Sequence, residues 1–295
     1  MFQRAKYKAT RDTPWHSIPD PVGTLKYDGG HDFLIFDQEG NQSYFSRRPS
    51  VKGGFPEHTQ KIPHISSKKM PEFAGQVFSV ELIHSGHSKH DVESHPKVSG
   101  ISNSLVPRAL QTQIDTGPVR AVLIDVINPV MPTYTDKLLH MKKVQDKFGN
   151  PDLLFVPHPA VGHEEIVKLI NSSKKQGREG IIVTSLTKPE HLNPRIKVVH
   201  KTNLNLRVTG MNQEVDIHGN LKPSMGSLEL ADASGRNVGK VGTGFDKETR
   251  EEAFKDPGKW VGQLIQVTSR GVSGPGGKLI APVYNGISDG EIDLV

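Results

Sequence analysis

The chain has 295 residues, with 37 Lys+Arg against 32 Asp+Glu for a formal net charge of +5, 29 glycines, 21 prolines and no cysteine. Without cysteine there is no disulfide, no thiolate metal site and no cysteine nucleophile, and the composition suits a reducing compartment. No apolar run approaches membrane-spanning length and no signal-like core opens the chain, so the sequence predicts no membrane partner and leaves room for two domains of ordinary size.

The first segment, 22–36, reads as two strands around an Asp-Gly turn, a common hairpin signal. Lys26-Tyr27-Asp28-Gly29 sits at the junction and sets a primary amine close to a carboxylate and a glycine. A lysine amine attacks a phosphoryl group only when neutral, which takes a desolvated site or compensating charge. Alone, the tetrapeptide reads as a surface turn with a solvated lysine. Strand-like runs follow at 42–45, 76–83, 120–127, 153–156, 180–184 and 196–199, and helical periodicity at 105–112, 135–148 and 164–175. The last helix carries Glu164 and Glu165 in its first turn and Lys174 and Lys175 in its last, as the helix dipole favours. Between 47 and 69, Arg47, Arg48, Lys52, Lys61, Lys68 and Lys69 lie among Gly, Pro and Ser, which reads as a basic loop.

The texture changes near residue 203. Short strands at 206–211, 226–230, 237–243, 264–268 and 279–283, with one helix at 247–254, suggest a small Greek-key barrel of the OB type. The expected class is α+β, with an antiparallel-sheet domain over 1–203 and the barrel over 204–295. The first part holds 27 Lys+Arg against 20 Asp+Glu, the second 10 against 12. A basic excess beside Lys26 suits a polyanion such as nucleic acid, and equally suits ordinary solubility charge.

Polar residues recur at the strand ends in a fixed order. Lys26-Tyr27-Asp28-Gly29 comes first, then Ser46-Arg47, Val80-Glu81-Leu82, Ile124-Asp125-Val126, Glu179-Gly180-Ile181-Ile182-Val183, and Lys197 with Lys201. In the second part Gly226-Ser227-Leu228, Lys240-Val241-Gly242-Thr243-Gly244-Phe245 and Arg250-Glu251 follow. This series resembles the covalent nucleotidyltransferases and, among them, the compact ATP-dependent DNA ligases of the bacteriophage and bacterial type, over nearly the whole chain. The resemblance implies a nucleotidyltransferase (adenylation) domain followed by an OB-fold domain, and nick sealing in duplex DNA through AMP carried on Lys26. It implies that the backbone at Thr24 and Leu25 faces the adenine, that Arg47 contacts the nucleotide or the nick phosphate, and that Glu81 holds the ribose or places a metal through water. Glu179, with Asp28 and Glu81, would sit near Mg²⁺, and Lys201 with Lys197 would neutralise the α-phosphate. Arg47, Arg48, Lys52, Lys68 and Lys69 would contact DNA. The implied partners are ATP, Mg²⁺ and nicked duplex DNA; the implied setting is a monomer in the cytoplasm of a bacterial or phage-infected cell.

Three positions depart from the family pattern. His31 stands where an arginine is usual, and would give a shorter, titratable contact to ribose with a pH dependence near neutrality. Ile124 stands where an aromatic stacks on adenine. Ile287-Ser288-Asp289-Gly290-Glu291 replaces a terminal Arg-x-Asp-Lys element; either Arg270 or Lys278 substitutes for it, or formation of the lysine adduct is slow. Alternatives stay open: Glu81 and Glu179 as solvated strand ends, Asp125 as a buried structural acid, Lys201 as a linker lysine. An RNA ligase, another covalent nucleotidyltransferase or a nucleic-acid-binding module with decayed catalysis are the rival functions. His84, His87 and His90 invite a zinc reading, but no cysteine accompanies them.

Overall fold

The two apolar runs flanking Lys26-Tyr27-Asp28-Gly29 do not pair with each other. In the computed structural model, which describes residues 15–51, 53–84, 95–273 and 277–295, β1 (Pro21–Lys26) and β2 (Gly30–Phe36) enter different sheets. The expected strands are present, but their turn is a crossover. Neither Asp28 nor Gly29 takes the positive φ that a two-residue hairpin of the Asp-Gly type requires. Gly29 serves another purpose: a Cβ there would lie 2.1 Å from the Leu82 carbonyl oxygen, so only glycine lets the crossover lie against its neighbouring strand.

The chain divides into two compact units that part between Val198 and Val199. The first unit continues with β3 (Gln42–Ser46), α1 (Pro63–Ser66), β4 (Val77–Ile83), α2 (His95–Ser102), α3 (Val106–Thr116), β5 (Arg120–Asn128) and α4 (Tyr134–Phe148). Next come β6 (Leu154–Phe155), β7 (Ala160–Val161), α5 (His163–Lys175), β8 (Gly180–Ser185) and β9 (Ile196–Val199). One sheet has the order β3-β2-β4-β5-β6, the other β7-β1-β8-β9. Among the described residues the pairings of these sheets are antiparallel, as expected, apart from the short parallel pairing of β5 with β6.

Each sheet buries one face. Leu34, Phe36, Phe78, Val80 and Leu123 share a core with Ile65 of α1, Val98 of α2, Ala109 of α3 and Met141 of α4. Ile181 and Val183 share another with Ile166 of α5 and with Trp15 and Ile18. Period-two alternation then turns His31, Ser79 and Glu81 of one sheet, and Thr24 and Lys26 of the other, to the opposite faces. The segment 47–69 is not a simple loop. Its second half forms a 3₁₀ turn (Thr59–Lys61) and α1, because Ile62 and Ile65 are fully buried and anchor it to the core.

The second unit consists of β10 (Thr202–Val215), β11 (Leu221–Ala231), β12 (Asn237–Val241), α6 (Lys247–Lys255), β13 (Leu264–Ser269), the short β14 (Val272–Ser273) and β15 (Lys278–Leu279), and β16 (Val283–Ile287). The last long strand therefore lies beyond the expected 279–283. The order is β12-β11-β10-β13-β16, and a single parallel bridge, Thr243 with Val283, links its two edges. Glycines allow close backbone approach here, Gly244 at the bridge itself and Gly226 and Gly242 within the sheet. A Cβ on Gly226 would meet the Gln213 carbonyl at 2.9 Å, one on Gly242 the Gly226 carbonyl at 2.8 Å, and Gly244 adopts φ +99°. Arg250 of α6 donates to the carbonyls of Met225 (2.8 Å), Gly226 (3.2 Å) and Gly242, and its guanidinium lies 5.6 Å from the Phe245 ring centre. Arg250→Ala removes a charged donor and leaves part-buried carbonyls unpaired. It is expected to destabilise this unit by about 2–4 kcal/mol, measured by urea unfolding.

Candidate functional site

Lys26 ends β1, opposite Gly180 of β8, and its Nζ contacts the Glu179 carboxylate from the residue just before that strand. The pair is largely withdrawn from water, with side chains 22% and 7% exposed. One strand over in the other sheet, Glu81 accepts from the Gly29 amide at 3.2 Å. Burial pushes the Glu81 carboxyl up to about 7; the positive charge of Lys26 and the Gly29 amide oppose that rise, and the negative charges of Glu179 and Asp28 add to it. Asp28 also accepts from the His95 amide at 3.1 Å, at the N-terminus of α2. The structure thus brings Lys26, Asp28, Glu81 and Glu179 into one electrostatic group.

His31 faces Glu81 across the β2–β4 ladder, with Nδ1 4.0 Å from a Glu81 oxygen and Nε2 2.6 Å from the Ser79 hydroxyl. Burial and the adjacent Arg47 push the imidazole down to about 4. It is therefore neutral at physiological pH, and the expected titration near neutrality does not survive: desolvation overrides the ordinary histidine range. Arg47 is exposed beside it, its amide bonded to the His31 carbonyl at 3.0 Å. Lys197 of β9 feels Lys26, Glu179, Arg47 and Glu81, and burial is the main cause that lowers its pKa. It therefore belongs to the same group.

Asp125 resolves as a structural acid at the border of the site. It accepts from Lys137 (2.8 Å) and Arg195 (3.0 Å), and Lys137 also reaches Glu190 at 2.8 Å. The Arg195 guanidinium lies over Tyr134, whose hydroxyl bonds the Thr24 side chain. The sequence reading missed Lys137, Glu190, Arg195 and Tyr134. The only hint was the apolar strand around Asp125, which demanded a buried partner. Thr24 is buried on the Lys26 face of β1, whereas the Leu25 side chain packs on the α5 side. Ile124 is half-buried where β5 bulges against Ser79 and Val80.

Other named residues lie elsewhere. Lys68 donates to the Lys147 (3.0 Å) and Phe148 (2.5 Å) carbonyls at the end of α4, and Lys61 to the Ser102 carbonyl. Lys69 pairs with Glu39 at 3.3 Å. Arg48 is exposed, Lys201 falls in the second unit, and Lys52, His87 and His90 lie outside the described residues. His84 is buried against Gly117 and Thr116, which accounts for it without zinc. Lys278 donates to Asn237.

Among the described residues no group of three or more His, Cys, Asp or Glu is preassembled to chelate a metal. The oxygen-only donor set of Glu179 and Glu81 nevertheless fits a hard cation that takes one or two carboxylates and completes its shell with water and substrate phosphate. Lys197, Arg47 and Lys26 supply fixed positive charge suited to phosphate oxygens.

By sequence, the chain matches no protein-family model and no curated protein. By structure, it is similar to "Pmar-Lig_PreS3" at 17% identity and TM-score 0.66, covering 92% of this chain and 64% of that one. It is equally similar (TM-score 0.66, 16% identity) to a structure described as "DNA binding with a minimal scaffold: Structure-function analysis of Lig E DNA ligases", over 92% of this chain and 93% of the other. The fold is a nucleotidyltransferase domain followed by an OB domain. The chain spans under two thirds of the Pmar-Lig structure and nearly all of the Lig E structure. Among the described residues no helix is long and apolar enough to cross a membrane.

The Glu81 shift fixes a pH dependence. A folded pKa of about 7 against an ordinary 4.5 means that the folded state binds the extra proton between those values, so this carboxyl costs stability as pH rises through that window, in full above it. Glu81→Gln is expected to leave stability nearly unchanged below pH 4.5 and to raise that of the nucleotide-free protein by about 1–3 kcal/mol at pH 8, read from urea unfolding at each pH.

Proposed function

We propose that the chain is an ATP-dependent DNA ligase that seals 5′-phosphate to 3′-hydroxyl nicks in duplex DNA. The observation that carries this reading is the Lys26–Glu179 contact at a sheet crossover, with Glu81, Lys197, His31 and Arg47 around it. The fold shared with a structure described as one of the Lig E DNA ligases supports it. The neutral Lys26 amine attacks the α-phosphorus of ATP, an N–P bond forms, and pyrophosphate leaves. Glu179 stands in contact with the amine and is the nearest base for its proton. AMP then passes to the 5′-phosphate of the nick, and the 3′-hydroxyl displaces it. Mg²⁺ held by Glu179, with Glu81 and Asp28 near it, would supply charge neutralisation at the phosphates. Lys197 would neutralise the α-phosphate, and the Thr24–Leu25 backbone and Ile124 would line the base.

Incubation with ATP and Mg²⁺ is expected to add the mass of one AMP to the protein, and Lys26→Ala to abolish that adduct while the variant stays folded. Labelled GTP in place of ATP, and nicked RNA in place of DNA, separate the guanylyltransferase and RNA ligase readings. No adduct with either nucleotide would leave only nucleic-acid binding.

The basic segment makes a second expectation. Lys61 and Lys68 are engaged by helix carbonyls, so the sequence-independent grip on DNA phosphates falls to Arg47 and Arg48. Affinity for nicked duplex should fall steeply with salt. Arg48→Ala should reduce the slope of log K against log[salt] by about 1, whereas Lys68→Ala should lower stability and leave the slope unchanged. Equal effects of both substitutions on the slope would count against this division.

A further inference from the structure

Ser79 has no role in the reaction outlined above, yet its buried hydroxyl makes the 2.6 Å contact with His31 Nε2. On the other side of the same ring, Nδ1 stops 4.0 Å short of the Glu81 carboxylate. That gap is too long for a hydrogen bond and short enough for one oxygen atom to bridge both groups. A neutral imidazole donates from one nitrogen and accepts at the other, and the partner of the first decides what the second can do. If Ser79 donates to Nε2, then Nδ1 carries the hydrogen and points it towards the carboxylate side. The reverse tautomer would face an Nδ1 lone pair towards carboxylate lone pairs. The ladder sets the three groups side by side: His31 pairs with Glu81 and Phe33 with Ser79, so the polar groups project from one face of adjacent strands in a fixed row.

We propose that Ser79 is a positioning residue: it holds His31 in the Nδ1–H tautomer, so that Nδ1–H and the Glu81 carboxylate together clasp one sugar hydroxyl of the bound nucleotide. A hydroxyl is the group that suits the gap, because it accepts from the imidazole and donates to the carboxylate at once. The inference rests on the nucleotide-binding reading above and adds to it a residue that discriminates between sugars. A site built to bond a hydroxyl rejects an analogue lacking it, because the polar groups are then left unpaired.

The test has two independent readouts on the full chain. Nitrogen-15 NMR of the histidine rings should show His31 in the wild type as the Nδ1–H tautomer, and Ser79→Ala should shift it towards a mixture. Single-turnover formation of the AMP adduct should favour ATP over its 2′-deoxy or its 3′-deoxy analogue by tenfold or more. Ser79→Ala should bring that ratio to within about threefold of unity, and Ser79→Thr, which keeps the hydroxyl, should restore it. An Nε2–H tautomer in the wild type would overturn the proposal whatever the activity. So would a Ser79→Ala protein that slows with ATP and with both analogues by the same factor. A wild type that forms no adduct with any of these nucleotides would overturn the nucleotidyltransferase reading and the clasp with it, a result distinct from an adduct that forms without sugar discrimination.

Discussion

An ammonium and a carboxylate withdrawn together from water set the terms for the rest of the first unit. Lys26 and Glu179 meet because β1 and β8 are antiparallel neighbours and Lys26 lies opposite Gly180. Taking either charge out of water alone costs several kcal/mol. The pair is tolerable because each compensates the other, and because burial raises the Glu81 carboxyl to about 7, so that its negative charge is only partly present near neutrality. Positive charge is equally rationed: burial lowers the pKa of Lys197, and His31 stays neutral between Arg47 and the interior. The group thus holds charges of both signs close together, and an entering polyphosphate with its counter-cation, still negative overall, would meet Lys26, Lys197 and Arg47. That is the property required of a site built for phosphoryl transfer, where positioning and electrostatics dominate over covalent help.

Holding two sheets so that their inner faces present these groups needs structural ties of its own. Gly29 allows the crossover, because any larger residue would strike the Leu82 carbonyl. The Asp125–Lys137–Glu190–Arg195 cluster joins β5, α4 and the segment leading into β9. Lys137 and Asp125 are almost fully buried, so removing one partner would strand the other's charge at a cost of about 3–5 kcal/mol. An apolar replacement of the whole cluster could be as stable, so stability alone does not account for it. What a charged cluster supplies is direction: Arg195 is two residues before Lys197 and shares its side of the strand, and Tyr134 beneath Arg195 reaches Thr24, two residues before Lys26.

Much of this was legible in the sequence where short-range physics decides. The strand at 196–199 and the helix at 164–175 sit within a residue of their observed positions, because alternation and helix-end charge mark them directly. The grouping of Lys26, Glu81 and Glu179 came only from the resemblance that the ordered strand-end residues carry, not from local pattern. What escaped was what depends on distant partners. The Asp-Gly turn carried a hairpin signal, yet β1 and β2 found better partners in separate sheets. The basic run at 47–69 concealed Ile62 and Ile65, whose burial turns half of it into ordered turns and redirects Lys61 and Lys68 to helix carbonyls. Lys137 reads as an ordinary surface lysine of an amphipathic helix. Only the fold shows that it points inward at Asp125.

The uneven charge of the two units bears on how a polyanion would be held. The part of the chain from Leu204 onward carries 10 Lys+Arg against 12 Asp+Glu, so its summed field does not attract phosphate. Some of its basic residues are committed internally: Arg250 to the carbonyls of Met225, Gly226 and Gly242, Arg236 to Asp232, and Lys278 to Asn237. Long-range attraction must come from the first part, with its excess of basic residues. The OB unit is then left with short-range, shape-dependent contacts, which salt screens less. In such a division the salt dependence of binding would report on the first unit, and any preference for duplex geometry on the second.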